Sequence, residues 1–444
     1  MQRWSHASRA GSRVAIVLYG SRGDIQPGVC LALELQTRGH RVTVLVPPNL
    51  MGFARSAGVA SVVGVGLDTH AAWSSDAAVA VQRDGSRLAQ IRFAMRTVRS
   101  GFAAFDASLV DQFIAPGAPL ADADVVVAAP LCQDRCFAIA ERLGTELVVI
   151  RYAPMSENGV VGAIPALSDR MSPSTRRRSW RLADRVTWAA TGWNENGFRR
   201  RLGLRRARRP LPLRLRDRGI VQIQAFDPAL LPGLAEQWRD AKPVVGFLDL
   251  GAEHRRGMDE TDATSPELAA WLAEGDRPLF VGFGSMTLPD LDVVVEMVRA
   301  GARRRGLRCL VAGFEYRGVV DDDRAIFVTG AIDHRSVLPH CLAAVHHGGA
   351  GTTAATLRAG VPALICPVTA DQPFWANRVR ALGSGDMTRS STLTDARVDA
   401  ALASVLAPGV RDAAALMAAQ LVAPDKAVAA AADIVEQAVD PRRT

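Results

Sequence analysis

His346-His347-Gly348-Gly349-Ala350-Gly351-Thr352-Thr353 is the stretch on which the reading of this 444-residue chain turns. Before it, Leu342-Ala343-Ala344-Val345 reads as the end of a buried strand. After it, Thr353 to Arg358 holds good helix formers that Gly360 and Pro362 stop. A glycine-rich turn between a strand and a helix start gathers free backbone N–H groups at the positive end of the helix, a geometry that binds phosphate. Gly348, Gly349 and Gly351 lack Cβ atoms and let an anion approach the main chain, while the imidazoles and Thr352 offer further hydrogen bonds. Taken alone, the glycines also fit a tight turn beside a paired histidine.

Two familiar phosphate motifs are excluded. A dinucleotide fingerprint would follow the first strand of a βαβ unit, and a P-loop would place Lys after the last glycine, where Thr352 stands. The chain has only two lysines, Lys242 and Lys426, and neither is near. Backbone and histidine therefore build this site, which suits a diphosphate held without a lysine-and-metal clamp.

Working outward, strand-length apolar runs alternate with helical segments. In the second half the strands are expected at Leu279–Phe283, Arg308–Ala312, Ile326–Val328, Ala343–His346 and Pro362–Cys366, with helices at 289–304, 352–359 and 372–382. In the first half, Val14 to Leu18 is a continuous apolar run of the kind buried on both faces of a parallel sheet. The loop Tyr19-Gly20-Ser21-Arg22-Gly23-Asp24 follows, Pro27 opens a helix that ends at Gly39, and Val42–Val46 is the next strand. Further strands are read at 61–65, 125–129 and 147–151, with a helix at 133–143, and residues 73–115 read as an amphipathic helical insertion. This rhythm predicts an α/β protein of two Rossmann-like, doubly wound parallel-sheet domains facing a central cleft. The expected divisions are 12–224, a proline-bearing linker at 225–243, a second domain at 244–415 and a helical tail at 416–444.

Length agrees, since a chain of this size forms two cores of about 200 residues more readily than one. The six cysteines (30, 132, 136, 309, 341, 366) lie mostly in apolar runs, and Cys132 with Cys136, one helical turn apart, has no second pair to complete a metal site. Reduced thiols point to a reducing compartment. Met1 to Arg13 carries no apolar core of a signal peptide, and no run of about 18 apolar residues occurs, so a cytoplasmic protein is expected. Net charge is +8, yet residues 176–218 alone carry fifteen Arg against Asp184, Glu195 and Asp217, leaving the rest of the chain at −4. Trp180, Trp188, Trp193 and Phe198 are interleaved there. Such a segment suits an anionic membrane surface, which would make the protein peripheral to the inner face; it equally suits a solvated, partly helical insertion. Nothing resembles a nucleic-acid module, and no nucleic-acid partner is expected.

Gly20-Ser21-Arg22-Gly23-Asp24-Ile25-Gln26-Pro27, with Arg38-Gly39-His40-Arg41-Val42 after it, resembles the start of family 1 glycosyltransferases of the GT-B fold. The run from His346 through Gly360-Val361-Pro362 and Pro367 to Asp371-Gln372-Pro373 is similar to that family's donor-sugar signature. Sterol glucosyltransferases, glycopeptide-antibiotic glycosyltransferases and mycobacterial glycolipid or glycopeptidolipid glycosyltransferases are the branches it resembles. The resemblance implies inverting transfer of a hexose or deoxyhexose from a UDP- or dTDP-linked donor to a hydroxyl of a lipophilic acceptor, with no metal or other cofactor. It implies Asp24 as the base on the loop of Gly20, Ser21, Arg22 and Gly23. The diphosphate contacts would be Ser285, His346, Gly348, Gly349, Gly351 and Thr352. Asp371 and Gln372 would bind the sugar, and the backbone at Ile332 the base. A non-catalytic nucleotide-sugar-binding or auxiliary protein of the same fold is the alternative, and an epimerase a third reading.

A bland reading accompanies several of these residues. Asp24 lies three residues before Pro27, so it also reads as an N-cap. Asp371 and Gln372 open a helix carrying Phe374 and Trp375, and Asp321-Asp322-Asp323 reads as a solvated turn rather than a metal ligand. His347 is expected to be packed support, and His40 exposed structure.

Overall fold

The computed structural model describes residues 11–68, 101–168, 170–258, 260–284, 291–313, 325–368, 371–389 and 393–439, apart from the side chains of Pro165 and Ala166. Ser285, Asp321–Asp323 and most of the 73–115 insertion lie outside these residues; its end, 101–113, is helical. The chain divides into two compact units, residues 1–257 with 422–444, and residues 258–421.

The first unit is built on β1 (Arg13–Val17), α1 (Arg22–Thr37), β2 (Arg41–Val46), β3 (Ser61–Gly64), β4 (Val125–Ala128), α2 (Gln133–Leu143), β5 (Glu146–Arg151), α3 (Pro173–Arg201) and β6 (Gln222–Gln224). Its six strands lie in the order β3-β2-β1-β4-β5-β6, all neighbours parallel. Val14 to Val17 and Val125 to Ala128 are buried throughout, as strands covered on both faces must be.

The second unit contains β7 (Leu279–Gly282), α4 (Leu291–Arg303), β8 (Cys309–Ala312), β9 (Ile326–Thr329), β10 (Ala343–His346), α5 (Ala350–Arg358), β11 (Ala363–Ile365), α6 (Gln372–Ala381), β12 (Gly385–Met387) and α7 (Asp395–Val405). The order is β12-β11-β10-β7-β8-β9, again parallel, and it repeats the topology of the first sheet. Side-chain alternation splits the core between the two faces. Leu279, Val281, Val311 and Val345 pack with Val295 and Val298 of α4 and Leu402 of α7. Phe280, Leu310 and Ala344 pack with Leu268, Trp271 and Leu338 on the other side. Each buried Val, Leu or Phe among them contributes about 1.5–3 kcal/mol.

This strand order has a switch point where the winding reverses, between β1 and β4 and again between β7 and β10. Ligands of open α/β sheets bind at the carboxyl ends of those strands. The turn after β1 runs through Gly20 and Ser21 into the first turn of α1, which holds Asp24, and the His-His-Gly-Gly turn follows β10.

The structure departs from the sequence expectation in four places. Helix α1 begins at Arg22, five residues before Pro27, because Ser21 is extended (φ −82°, ψ 175°) and caps it through Asp24. Pro27 is tolerated at the sixth helical position, where it removes only the bond to the Gly23 carbonyl. Strands β6 and β12 were not anticipated. Residues 225–257 cluster with the first unit rather than forming a separate linker at 225–243, and the C-terminal helix Pro424–Val439 also belongs to that unit. It is tied there by Arg38, which bonds Asp433 (2.6 Å) and Glu436 (2.8 Å), and by His40 Nε2 to Glu436 Oε1 at 2.9 Å. His40 is therefore buried, not exposed.

Candidate active site

In the second unit, β10 ends at the fully buried His346, paired in register with Gly282 at the end of β7. Gly348 adopts φ +87°, and a Cβ there would lie 2.5 Å from Ile365 Cγ2, so only glycine lets the chain turn against β11. A Cβ on Gly349 would meet His347 Nε2 at 2.5 Å, whereas one on Gly351 would meet nothing within 4 Å. Gly349 is the N-cap of α5 and supplies no side chain to cap it. The first intrahelical bond is Thr353 N–H to Gly349 O at 2.9 Å, leaving the N–H groups of Ala350, Gly351 and Thr352 without an acceptor in the helix.

The histidines complete this cradle without adding charge. Burial pushes His346 well below the ordinary imidazole value, reinforced by neighbouring His347 and His334, and burial brings His347 down to about 4. Gly348 N–H donates to His346 Nδ1 at 3.0 Å, so the neutral ring carries its proton on Nε2. That Nε2–H is buried and has no partner among the described residues. An unmet buried donor costs about 1–3 kcal/mol, a cost an incoming acceptor oxygen would remove.

Asp371 directly precedes α6 without making a side-chain cap bond, and its Oδ2 accepts from Trp375 Nε1 at 2.8 Å. Gln372 is 7% exposed and its Oε1 accepts from Val368 N–H at 2.8 Å. These bonds hold both side chains at the end of β11. Ile332 is buried, bridging in parallel to Thr261: Thr261 N–H bonds Ala331 O, and Asp333 N–H bonds Thr261 O, both at 2.9 Å. That pattern turns the N–H and C=O of Ile332 itself away from Thr261.

In the first unit, Asp24 occupies the third position of α1. Its Oδ2 accepts from both the N–H and the Oγ of Ser21 at 2.8 Å. Capping and exposure coexist, since the carboxylate is half-buried and its Oδ1 is not part of these two bonds. Burial pushes the Asp24 carboxyl up, and the two Ser21 bonds hold it down less strongly. Gly20 sits at φ +129°, and a Cβ there would lie 2.4 Å from Asp24 Oδ2, so the glycine is what lets the carboxylate fold back over the turn. Arg22 lies over the Phe53 ring at 4.6 Å.

Two tyrosines that the sequence reading passed over support this loop. Tyr152, the residue after β5, donates its hydroxyl to Asp24 O at 2.9 Å. Tyr19 packs on Phe105 with centroids 4.5 Å apart, beside Phe102, which Arg135 covers at 4.6 Å while bonding Asp106 (3.0 Å) and Asp134. A search of the first residue beyond each strand would have found Tyr152.

All six cysteines are free and buried. Burial pushes the Cys132 and Cys136 thiols up, the wrong direction for thiolate ligands. Among the described residues no three His, Cys, Asp or Glu side chains form a metal-holding group, and no single helix is long and apolar enough to cross a membrane. Residues 176–218 fall largely on α3, where some arginines are structural. Arg199 is bidentate to Glu141 (2.9 and 3.0 Å), and Arg214 pairs with Glu195 at 2.6 Å.

Comparison with known proteins agrees with this architecture. Residues 324–437 match the family described as erythromycin biosynthesis protein CIII-like, C-terminal domain. An uncharacterized glycosyltransferase of Mycobacterium tuberculosis is 35% identical over 437 residues, covering 96% of this chain and 99% of that one. O-mycaminosyltylonolide 6-deoxyallosyltransferase of Streptomyces fradiae is 31% identical over 447 residues, covering 97% and 99%. The crystal structure of glycosyltransferase VinC in complex with dTDP has the same fold, with TM-score 0.60 at 19% identity over 96% of this chain and 99% of that one. The fold is that of the GT-B transferases, and the chain belongs to the family 1 glycosyltransferases of that fold. It is a glycosyltransferase enzyme.

Proposed function

We propose that the protein is an inverting glycosyltransferase that moves a deoxyhexose or hexose from a dTDP- or UDP-linked donor to a hydroxyl of a lipophilic acceptor, a glycolipid, glycopeptidolipid, sterol or other natural product. The observation that carries this reading is the uncapped N-terminus of α5 at the switch point, beside the buried Nε2–H of His346, which has no partner among the described residues. Three amides, the helix end and one imidazole N–H make a preformed field for the charge that grows on a departing nucleoside diphosphate. Such a field stabilises the leaving group without a metal, and we place none in the step.

In the reaction the acceptor oxygen bonds to the anomeric carbon from the face opposite the diphosphate. The carbon–oxygen bond to the phosphate breaks, its electron pair leaves with the nucleotide, and the acceptor proton passes to Asp24. A positioned base of this kind contributes roughly 10²–10⁴-fold. Its raised affinity for protons makes Asp24 a stronger base than a solvated carboxylate. Asp371 and Gln372 are assigned to the sugar, the backbone at Ile332 to the base, and Ser285 to the diphosphate. A dTDP-deoxyhexose is favoured among donors, because one relative is named a 6-deoxyallosyltransferase and a structural neighbour was crystallised with dTDP. Six reduced, buried thiols fit a cytoplasmic setting.

A thermal-shift panel of dTDP-, UDP- and GDP-sugars, followed by product analysis with and without a lipophilic alcohol, tests the proposal. A ligand at a hundred times its Kd stabilises the folded state by about 2.7 kcal/mol. No stabilisation by any of the three, or sugar conversion without an acceptor, would overturn it.

A further inference from the structure

Helix α3 spans 29 residues and buries Trp180, Glu195, Phe198 and Arg199 on one side. Residues 178, 182, 185, 186, 189 and 193 recur at helical spacing on the opposite side. That outward stripe is not the charged face of an ordinary surface helix. Leu182, Val186 and Trp193 are 62, 61 and 59% exposed, with Arg178 and Arg185 between and before them. Trp193 stands between two grooves. One, of about 530 Å³, is lined by Trp188, Asn196, Arg206 and Arg208; the other, of about 390 Å³, by Phe198, Arg200 and Arg201. Arg178, Arg185, Arg200, Arg206 and Arg208 are exposed and make no ion pair among the described residues, unlike Arg199 and Arg214 of the same segment.

We infer that this face of α3 docks the first unit on an anionic lipid bilayer. Apolar side chains in line along an exposed helix, with guanidinium groups on either side of them, match the boundary between acyl chains and negatively charged headgroups. Leu182, Val186 and the Trp193 ring enter that boundary, while Arg185, Arg200, Arg206 and Arg208 reach the phosphates from the grooves and the helix flank. A protein partner would need an acidic, apolar surface of matching length, and a nucleic acid would leave the aliphatic stripe exposed. The inference stands apart from the choice of sugar or acceptor, because none of these residues belongs to the strand-end loops.

Co-sedimentation of the full chain with vesicles of phosphatidylcholine containing phosphatidylglycerol, and with phosphatidylcholine alone, provides the test. Binding is expected to the anionic vesicles, to weaken as salt is raised and to be lost on the neutral ones. L182Q/V186Q/W193Q should lower partitioning at least about tenfold, and R185Q/R206Q about thirty-fold. These side chains are exposed, so both variants should melt as the wild type does. Equal binding to both vesicle types, no binding, or undiminished binding by the triple variant overturns the inference. A wild-type dimer that the triple variant converts to monomer would also overturn it, assigning the stripe to contact between copies.

Discussion

The main-chain N–H of Gly348 lies 3.0 Å from Nδ1 of His346, and that bond decides which imidazole nitrogen carries the proton. With Nδ1 accepting, Nε2 can only donate, and it does so from full burial. The two nitrogens can be separated by substitution. His346→Asn places an acceptor where Nδ1 was and removes the Nε2 donor; His346→Gln does the reverse. The Asn variant should lose about 10²–10³ in kcat, as when one donor to a developing oxyanion is removed. The Gln variant should retain more activity but melt lower. Steady-state kinetics with a competent donor and a melting curve check both.

Gly351 faces open space, so a side chain there disturbs no packing but occupies the place of the anion. Gly351→Val should leave the melting temperature without ligand within a few degrees and abolish the stabilisation by nucleoside diphosphate. That stabilisation is about 2.7 kcal/mol at a hundred Kd in the wild type. Retained stabilisation would remove this loop from the donor site.

Asp24→Asn keeps an oxygen for the Ser21 bonds and deletes the base. A fall in kcat of roughly 10²–10⁴-fold is expected with little change in donor affinity. Because burial raises the Asp24 carboxyl above its ordinary value of 3.8, the acid limb of kcat/KM should lie above that of a solvated aspartate, with activity gained as pH rises through it. The variant should lack that limb. A pH–rate profile of both proteins decides.

His346 and His347 resist protonation in the folded state, whereas in the unfolded chain they take protons near pH 6.5. Their contribution to stability is therefore complete above 6.5 and falls as pH drops below it, for His347 until about 4. Each should cost about 1.4 kcal/mol per pH unit in that window. Urea unfolding at pH 7 and pH 5 should show the loss, and His347→Asn should reduce it.

Glu436→Ala removes the partner of buried His40 and one of three carboxylates on Arg38, leaving Glu34 and Asp433. Leaving such groups unmet should destabilise the first unit by about 1–3 kcal/mol, read from denaturant midpoints at constant slope. The second unit, 258–421, should be untouched.

Much of this was legible from residue order. Val14 to Val17 and Ala343 to Val345 could be read as central strands because parallel sheets bury both faces. The loops between strand and helix could be read because glycine at Gly348 and Gly20 has a conformational purpose. Strands β6 and β12 were not legible: both sit at sheet edges, and Gln222-Ile223-Gln224 and Gly385-Asp386-Met387 are too short and polar to carry a period. The support of Asp24 by Tyr152 depends on strand order, and the burial of His40 on a glutamate 396 residues downstream. Local pattern holds neither. Leu182, Val186 and Trp193 could as well have been core by composition; only burial shows that they face outward.

The return of residues 422–444 to the first unit makes residues 258–421 an insert, entered once and left once. The described chain before and after the insert is carried by the same body, so the insert can be exchanged as a cassette by cutting at two junctions, with Asp24 and the C-terminal helix left undisturbed. Chimeras made in this way would swap the candidate sugar-nucleotide half of one transferase into another as a single block, whereas a cut at one junction would strand the last helix with the wrong partner.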